Sequence, residues 1–325
     1  MSLLKVSDLA VEFTANKRTV RPISDISFTM EPGEVLGMVG ETGSGKSLTA
    51  HAIMGLTPLV GGKVFGKVEF DGKDLLKLSK FEMQKVRGAA IAFIPQNPMT
   101  SLDPVFRVGD QIVEGLRKHL RLNKWKAKTL ALEIMEQLRI PNPKLVFEQY
   151  PHQLSGGLKQ RIVIAIGIGA NPKLLIADEP TTALDVTVQA QIMRLFKELT
   201  AVKGIGLLLI THDLGVIAQV CDKIAVLYAG NLVEYGEIRS VFKEPKHPYT
   251  QALLNCIPYI GMEKGSLTAI EGNVPTADNF PEGCRFNARC PYVMQECITD
   301  SPELIDLEGG ARVACFKYQK EKATI

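Results

Sequence analysis

Polar and apolar residues alternate over residues 6–13 and again over 23–30, the period-two pattern of half-buried strands. The polar stretch ANKRT between them reads as a turn. Residues 35–39, VLGMV, form instead a short apolar run of the kind that makes a buried strand. A helix is expected over 47–54, ending near Gly55, then a strand over 64–70 with Asp71 and Gly72 as a tight turn. Residues 79–87 read as helix and 89–94 as an apolar strand closed by Pro95. From 97 to 150 the period becomes helical, most clearly over 105–116 and 125–138, with Pro141 and Pro143 as a stop. A helix through 162–168, a strand over 174–177, a helix over 189–202 and a strand over 206–210 follow. Residues 223–228 and 231–235 form a hairpin turning at Ala229 and Gly230. Strands alternating with helices predict an α/β domain carrying a helical insert.

Composition changes this picture little. The chain has 325 residues, enough for one large domain plus an appendage or for two domains, and 46% hydrophobic with 22% charged residues is a globular balance. A net charge of +3 gives no support for a nucleic-acid partner. The apolar run at 162–170 is far short of the roughly 20 residues that span a bilayer. The opening MSLLKVSDLA has no secretory pattern, so a cytoplasmic chain is expected. Arg117, Lys118, Arg121, Lys124, Lys126 and Lys128 make the insert basic, which reads as a solvated helix face or, less commonly, as a contact for anionic lipid. Four of the six cysteines fall between Cys284 and Cys315, and in a cytosolic chain such clustering argues for metal over disulfides.

The candidate chemistry sits at strand ends. Residues 40–47, GETGSGKS, fit the phosphate-binding pattern G-x-x-x-x-G-K-[ST] between a strand and a helix. Gly40, Glu41, Thr42, Gly43, Ser44 and Gly45 supply the loop, whose N–H groups point inward at an anion. Lys46 can reach the β- and γ-phosphates, and the Ser47 hydroxyl can ligate Mg²⁺. Asp178 and Glu179 follow an apolar strand, where one carboxylate can hold Mg²⁺ through water and the other polarise an attacking water. Gln96 lies after another strand, either as a loop residue or at a ligand edge. His212 lies at a third strand end, either as a loop histidine or as a γ-phosphate contact. Ser155, Gly156 and Gly157 open a helix able to bind an anion or merely to cap itself. Phe13 ends the first strand, as a core residue or as a stacking surface for a purine.

Taken in order, these motifs resemble the nucleotide-binding subunits of ATP-binding cassette (ABC) transporters over residues 3 to about 243. GETGSGKS resembles the phosphate loop, Gln96 the Q-loop glutamine and LSGGL the family signature. LLIADE resembles the Mg²⁺-binding strand, ALD at 183–185 the D-loop, and His212 the switch histidine. Leu158 stands where many members have Gln, and Phe13 where many have Tyr. The resemblance implies a P-loop ABC ATPase core, a mixed sheet with an antiparallel part and a helical subdomain inserted at about 97–170. It implies ATP and Mg²⁺ as ligands, with Phe13, Thr49 and Asp185 joining the nucleotide set and Ser47, Gln96 and Asp178 the Mg²⁺ set. Two subunits would pack head to tail, so that the phosphate loop of one and the Ser155 loop of the other sandwich each ATP. Glu179 would orient or deprotonate the water and His212 would hold the γ-phosphate.

NPMTSLDPV, YPHQLSGG and EPKHPYTQALLNCIP further resemble the dipeptide and oligopeptide importer group. That implies an ATPase driving peptide import with a second ATPase subunit, two membrane permeases and, indirectly, a peptide-binding protein. It also implies a place on the inner face of the membrane, a nucleotide-binding domain over 1–243 and an extension over 244–325. In that extension Cys284, Cys290, Cys297 and Cys315 are separated by five, six and seventeen residues. Without a C-x-x-C pair, spacing leaves zinc and a [4Fe–4S] cluster near even. The resemblance of GCRFNARCPY…C…ACF to the importer tail favours a structural iron–sulfur cluster. Cys221 and Cys256 read as ordinary thiols. Two other classes remain open: a soluble ABC ATPase acting on nucleic acid or the ribosome with a metal-binding tail, and a nucleotide-binding regulator without turnover.

Overall fold

The computed structural model describes residues 2–15, 18–182, 184–257 and 270–322. Ala183 of the ALD stretch, Asn16 and Lys17 of the first turn, and Pro258 of the importer-like stretch lie outside the described residues. The chain folds as two compact units, one formed by Met1–Met30, Val35–Leu76 and Thr211–Ile325, the other by Glu31–Glu34 and Lys77–Ile210.

In the first unit the alternating segments make an antiparallel sheet. Leu4–Ala15 pairs on one side with Arg18–Met30 and on the other with Gly62–Phe70. The strand is longer than its strict alternation because Val6 and Leu9, three positions apart, are both buried. An irregularity between them, with Asp8 at φ 49°, turns Leu9 back to the core. Ser27 secures it, its hydroxyl accepting from the Asp8 N–H at 2.8 Å and donating to the Asp8 carboxylate at 3.0 Å.

A second set of strands starts at the fully buried Val35–Val39, which runs parallel to Lys223–Tyr228. That strand pairs antiparallel with Asn231–Glu237 through a turn whose Ala229 and Gly230 both have positive φ, 45° and 82°. The outer edge of Asn231–Glu237 carries Arg312–Val313, and beyond it Ile305–Asp306. The C-terminal extension thus completes a sheet begun by the strand that feeds the phosphate loop. Its core is aromatic: Phe286, 1% exposed, packs edge-on against Tyr228 at 5.0 Å between ring centres and lies 5.4 Å from Tyr249. Replacing a buried ring of this size by alanine leaves a cavity, so Phe286→Ala is expected to cost about 3–5 kcal/mol, read from urea unfolding of the full chain by circular dichroism.

The second unit is built on three parallel strands, Ile91–Ile94, Leu174–Asp178 and Gly206–Ile210, the central one paired on both sides. The predicted insert is helical, through Val108–Leu120, Lys124–Gln137, Pro143–Phe147 and Gly156–Ile168. Val108, Ile112, Val113 and Leu116 bury one stripe of the first helix, as its period requires. The helix expected from 105 begins at 108. Val105 and Phe106 stand outside it, 70% and 56% exposed, so the apolar pattern there did not report burial. Ser79 caps Lys80–Val86 with a complete capping box through Glu82, which ends that helix one residue inside each expected boundary.

Candidate functional site

In the first unit the loop after Val35–Val39 is fixed by crowding as much as by hydrogen bonds. Gly40 has φ 152°, and a Cβ there would stand 2.1 Å from the Leu227 carbonyl oxygen. Gly45 has φ 98°, and its Cβ would meet Ile23 at 2.6 Å. Side chains are excluded at both ends, so only glycine permits this course of the loop backbone. Lys46 opens the helix Lys46–Ile53, and its Nζ donates to the carbonyls of Gly40 at 2.7 Å and Glu41 at 3.0 Å. Lys46 is therefore only 6% exposed, its side chain folded back onto the loop. The Ser44 carbonyl accepts from the Gly230 N–H at 2.9 Å, tying the loop to the hairpin turn. Thr49 is wholly buried and returns its hydroxyl to the Gly45 carbonyl at 2.9 Å. Thr42 and Gly43 are exposed, and Ser47 follows Lys46 into the helix.

His212 belongs to the same unit and is exposed. It is held between two anchors. The Thr211 N–H donates to the Met38 carbonyl at 3.2 Å, and the Asp213 carboxylate accepts from the Val216 N–H at 3.1 Å as the cap of Leu214–Val220. Phe13 is half-buried near the end of its strand, paired with Val20 and Gly62.

In the second unit Asp178 ends the central strand at 4% exposure. Glu179 follows with φ 44°, an uncommon conformation for a residue with a Cβ, and its N–H donates to the Ile210 carbonyl at 2.8 Å. One oxygen of its carboxylate accepts from Gln96 Nε2 and from Thr182 Oγ1, both at 2.9 Å. The structure thus brings Gln96 to Glu179, two residues that sequence places separately. Thr182 joined no sequence-derived set, although it lies only three residues from Glu179. Ser155 caps Gly156–Ile168, accepting from the Leu158 N–H at 3.4 Å. Ser155 and Gly156 are exposed, and a Cβ on Gly157 would meet Val188 at 2.8 Å. Asp185 caps Val186–Lys203 through the Val188 N–H at 2.9 Å, so that helix starts three residues before the expected 189.

The tail cysteines overturn the metal expectation. Cys284, Cys290, Cys297 and Cys315 line one small pocket with Phe286, Met294 and other residues, and all four are free thiols. Burial pushes the Cys284 thiol up to about 11 and raises Cys290 and Cys315 as well. An iron–sulfur or zinc ligand has to be a thiolate, whereas these surroundings favour the neutral thiol. Among the described residues no group of three or more His, Cys, Asp or Glu could hold a metal ion. The iron–sulfur cluster and its zinc alternative are therefore withdrawn, and the extension is held by its aromatic core and strand pairing.

A glycine-gated phosphate loop between a buried strand and a helix, on an α/β scaffold, defines a P-loop nucleotide-binding protein. Residues 23–182 match the family described as ABC transporter, and residues 233–297 the one described as oligopeptide/dipeptide transporter, C-terminal region. The chain is 44% identical to the oligopeptide transport ATP-binding protein AppD of Bacillus subtilis, over 99% of this chain and 98% of AppD. It is 45% identical to the dipeptide transport ATP-binding protein DppD of Escherichia coli, over 97% of this chain and 96% of DppD. In structure it resembles the dimeric ATP-binding cassette MJ0796 in a post-hydrolysis state bound to ADP and Pi, with a TM-score of 0.66 and 26% identity over 73% of this chain and 99% of that one. The chain belongs to the ABC transporter family, among its oligopeptide and dipeptide transport ATP-binding proteins.

Proposed function

We propose that this chain is the ATP-hydrolysing subunit that powers import of dipeptides or oligopeptides, through ATP-driven closure of a head-to-tail ATPase dimer. The observation that carries the reading is identity of 44% and 45% to peptide-transport ATP-binding proteins across nearly the whole chain. The geometry of residues 40–47 supports it, since Gly40 and Gly45 take positive φ and pack against Leu227 and Ile23 too closely for any side chain. Lys46 moves from the loop carbonyls to the β- and γ-phosphates. Ser47, Asp178 and Gln96 offer hydroxyl, carboxylate and amide oxygens, the hard donors that suit Mg²⁺. The bond to Glu179 uses the Gln96 nitrogen and leaves its oxygen as the end that can face a cation. Bound Mg²⁺ supplies charge neutralisation at the phosphates. Glu179 orients or deprotonates the attacking water, and His212 holds the γ-phosphate. Phe13 stacks on adenine. Ser155, Gly156 and Gly157 act in trans on the partner's nucleotide, with Asp185 beside the dimer contact.

The domain boundary at 243/244, the two permease partners and the place on the inner face of the membrane belong to the same proposal. Among the described residues no helix is long and apolar enough to cross a membrane. The nucleic-acid and ribosome alternative is not favoured by any relative compared. The test is affinity purification of the tagged chain from detergent-solubilised membranes, with peptide uptake measured in cells lacking the gene. Recovery with integral membrane proteins and loss of peptide uptake are expected. Recovery with ribosomes or DNA alone, with uptake intact, would sink the reading.

A further inference from the structure

The second residue of the phosphate loop, Glu41, is a carboxylate placed where a polyphosphate is to be gathered. An unpaired negative charge there would repel the ligand. In this chain Glu41 is met by Arg289, which lies 248 positions later in the C-terminal extension. Arg289 Nη1 donates to Glu41 Oε1 at 3.0 Å and Nη2 to Oε2 at 3.2 Å, a bidentate pair with the arginine side chain only 6% exposed. The other donors of the guanidinium are also filled. Nη1 reaches the Tyr228 hydroxyl at 3.3 Å, Nη2 the Ile270 carbonyl at 3.2 Å and Nε the Glu271 carbonyl at 2.8 Å. With five N–H groups and five acceptors, the fork has one orientation. A second arm of the extension holds the same residue, because the Glu41 N–H donates to the Tyr249 hydroxyl at 2.9 Å. Tyr249 is wholly buried against Tyr228, 4.6 Å between ring centres.

We infer that Arg289 is a positioning residue of the nucleotide site: it neutralises Glu41 and fixes the entrance of the phosphate loop, so that the C-terminal extension sets the chain's affinity for ATP. This rests on the ATP reading of the loop. A purely structural arginine would act through the stability of the extension. A positioning arginine acts through the charge of Glu41, and removing that charge should undo its loss.

The experiment is titration of the purified full-length chain with a fluorescent ATP analogue in the presence of Mg²⁺, beside thermal melts without nucleotide. Arg289→Gln is expected to weaken binding about tenfold, and Arg289→Lys, which keeps the charge but not the fork, about threefold. The double variant Arg289→Gln with Glu41→Gln should return to within about threefold of the original affinity, while melting like the single Arg289→Gln variant. Unchanged affinity in Arg289→Gln overturns the inference, and so does a double variant as weak as the single. If Arg289→Gln fails to fold, unchanged affinity in Arg289→Lys overturns it. Lys46→Ala separates the two readings. Unchanged binding there removes the ATP reading itself. Weakened binding there, beside unchanged binding in Arg289→Gln, removes only the role of Arg289.

Discussion

Glu179→Gln is expected to lower ATP turnover by about 10²–10⁴-fold while leaving ATP binding in place. The residue is held on every side that matters for orientation. Its backbone N–H is bound to Ile210, its φ is 44°, and one carboxylate oxygen receives both Gln96 and Thr182 at 2.9 Å. A glutamine of the same shape keeps the Thr182 bond through its own oxygen, so the backbone has no reason to relax. What it cannot do is take a proton from water or carry the negative charge that orients one. ATP should then bind and close the dimer, but closure should not be released. Phosphate release gives the rate, equilibrium dialysis the affinity, and light scattering with ATP the dimer, which should accumulate in the variant. Turnover within tenfold of the original chain would remove Glu179 from the chemistry.

What the sequence made legible was local. The strand, turn and helix around 40–47 have their own patterns, and crowding at Gly40 and Gly45 gives the reason those two positions are glycine. Ser155 and Asp213 are caps that three or four neighbouring residues suffice to predict. The pairing of Gln96 with Glu179 was only half visible, since each residue could be placed at a strand end but not aimed at the other. Arg289 and Tyr249 were missed altogether. Their partner Glu41 is more than 200 positions away, and no periodicity carries information over that distance. The cysteines misled for a related reason. Spacing counts residues along a loop, whereas ligation depends on where burial and strand pairing put the sulfurs, and here they line an apolar pocket whose burial raises the Cys284, Cys290 and Cys315 thiols.

Lys46→Ala is expected to raise the dissociation constant for Mg·ATP by about 100-fold or more, the loss of a charge-assisted contact to phosphate. The ammonium donates to the Gly40 and Glu41 carbonyls, two neutral acceptors at the start of the loop. Binding exchanges those carbonyls for phosphate oxygens that carry full negative charge, which is why the exchange runs in favour of ATP. Removing the amine loses both sets of partners. The nucleotide-free chain should lose only about 1–2 kcal/mol, because the carbonyls so released border a loop open to water. Lys46→Arg tests geometry against charge. It keeps the cation, but a planar fork longer than the lysine stem cannot reach two carbonyls of a six-residue turn and then withdraw to the phosphates. Both variants should fail in titration with ATP while melting within a few degrees of the original chain without it. If Lys46→Arg binds as tightly as the original chain, the site needs only a positive charge, and the narrow cradle set by Gly40 and Gly45 is not what selects the ligand.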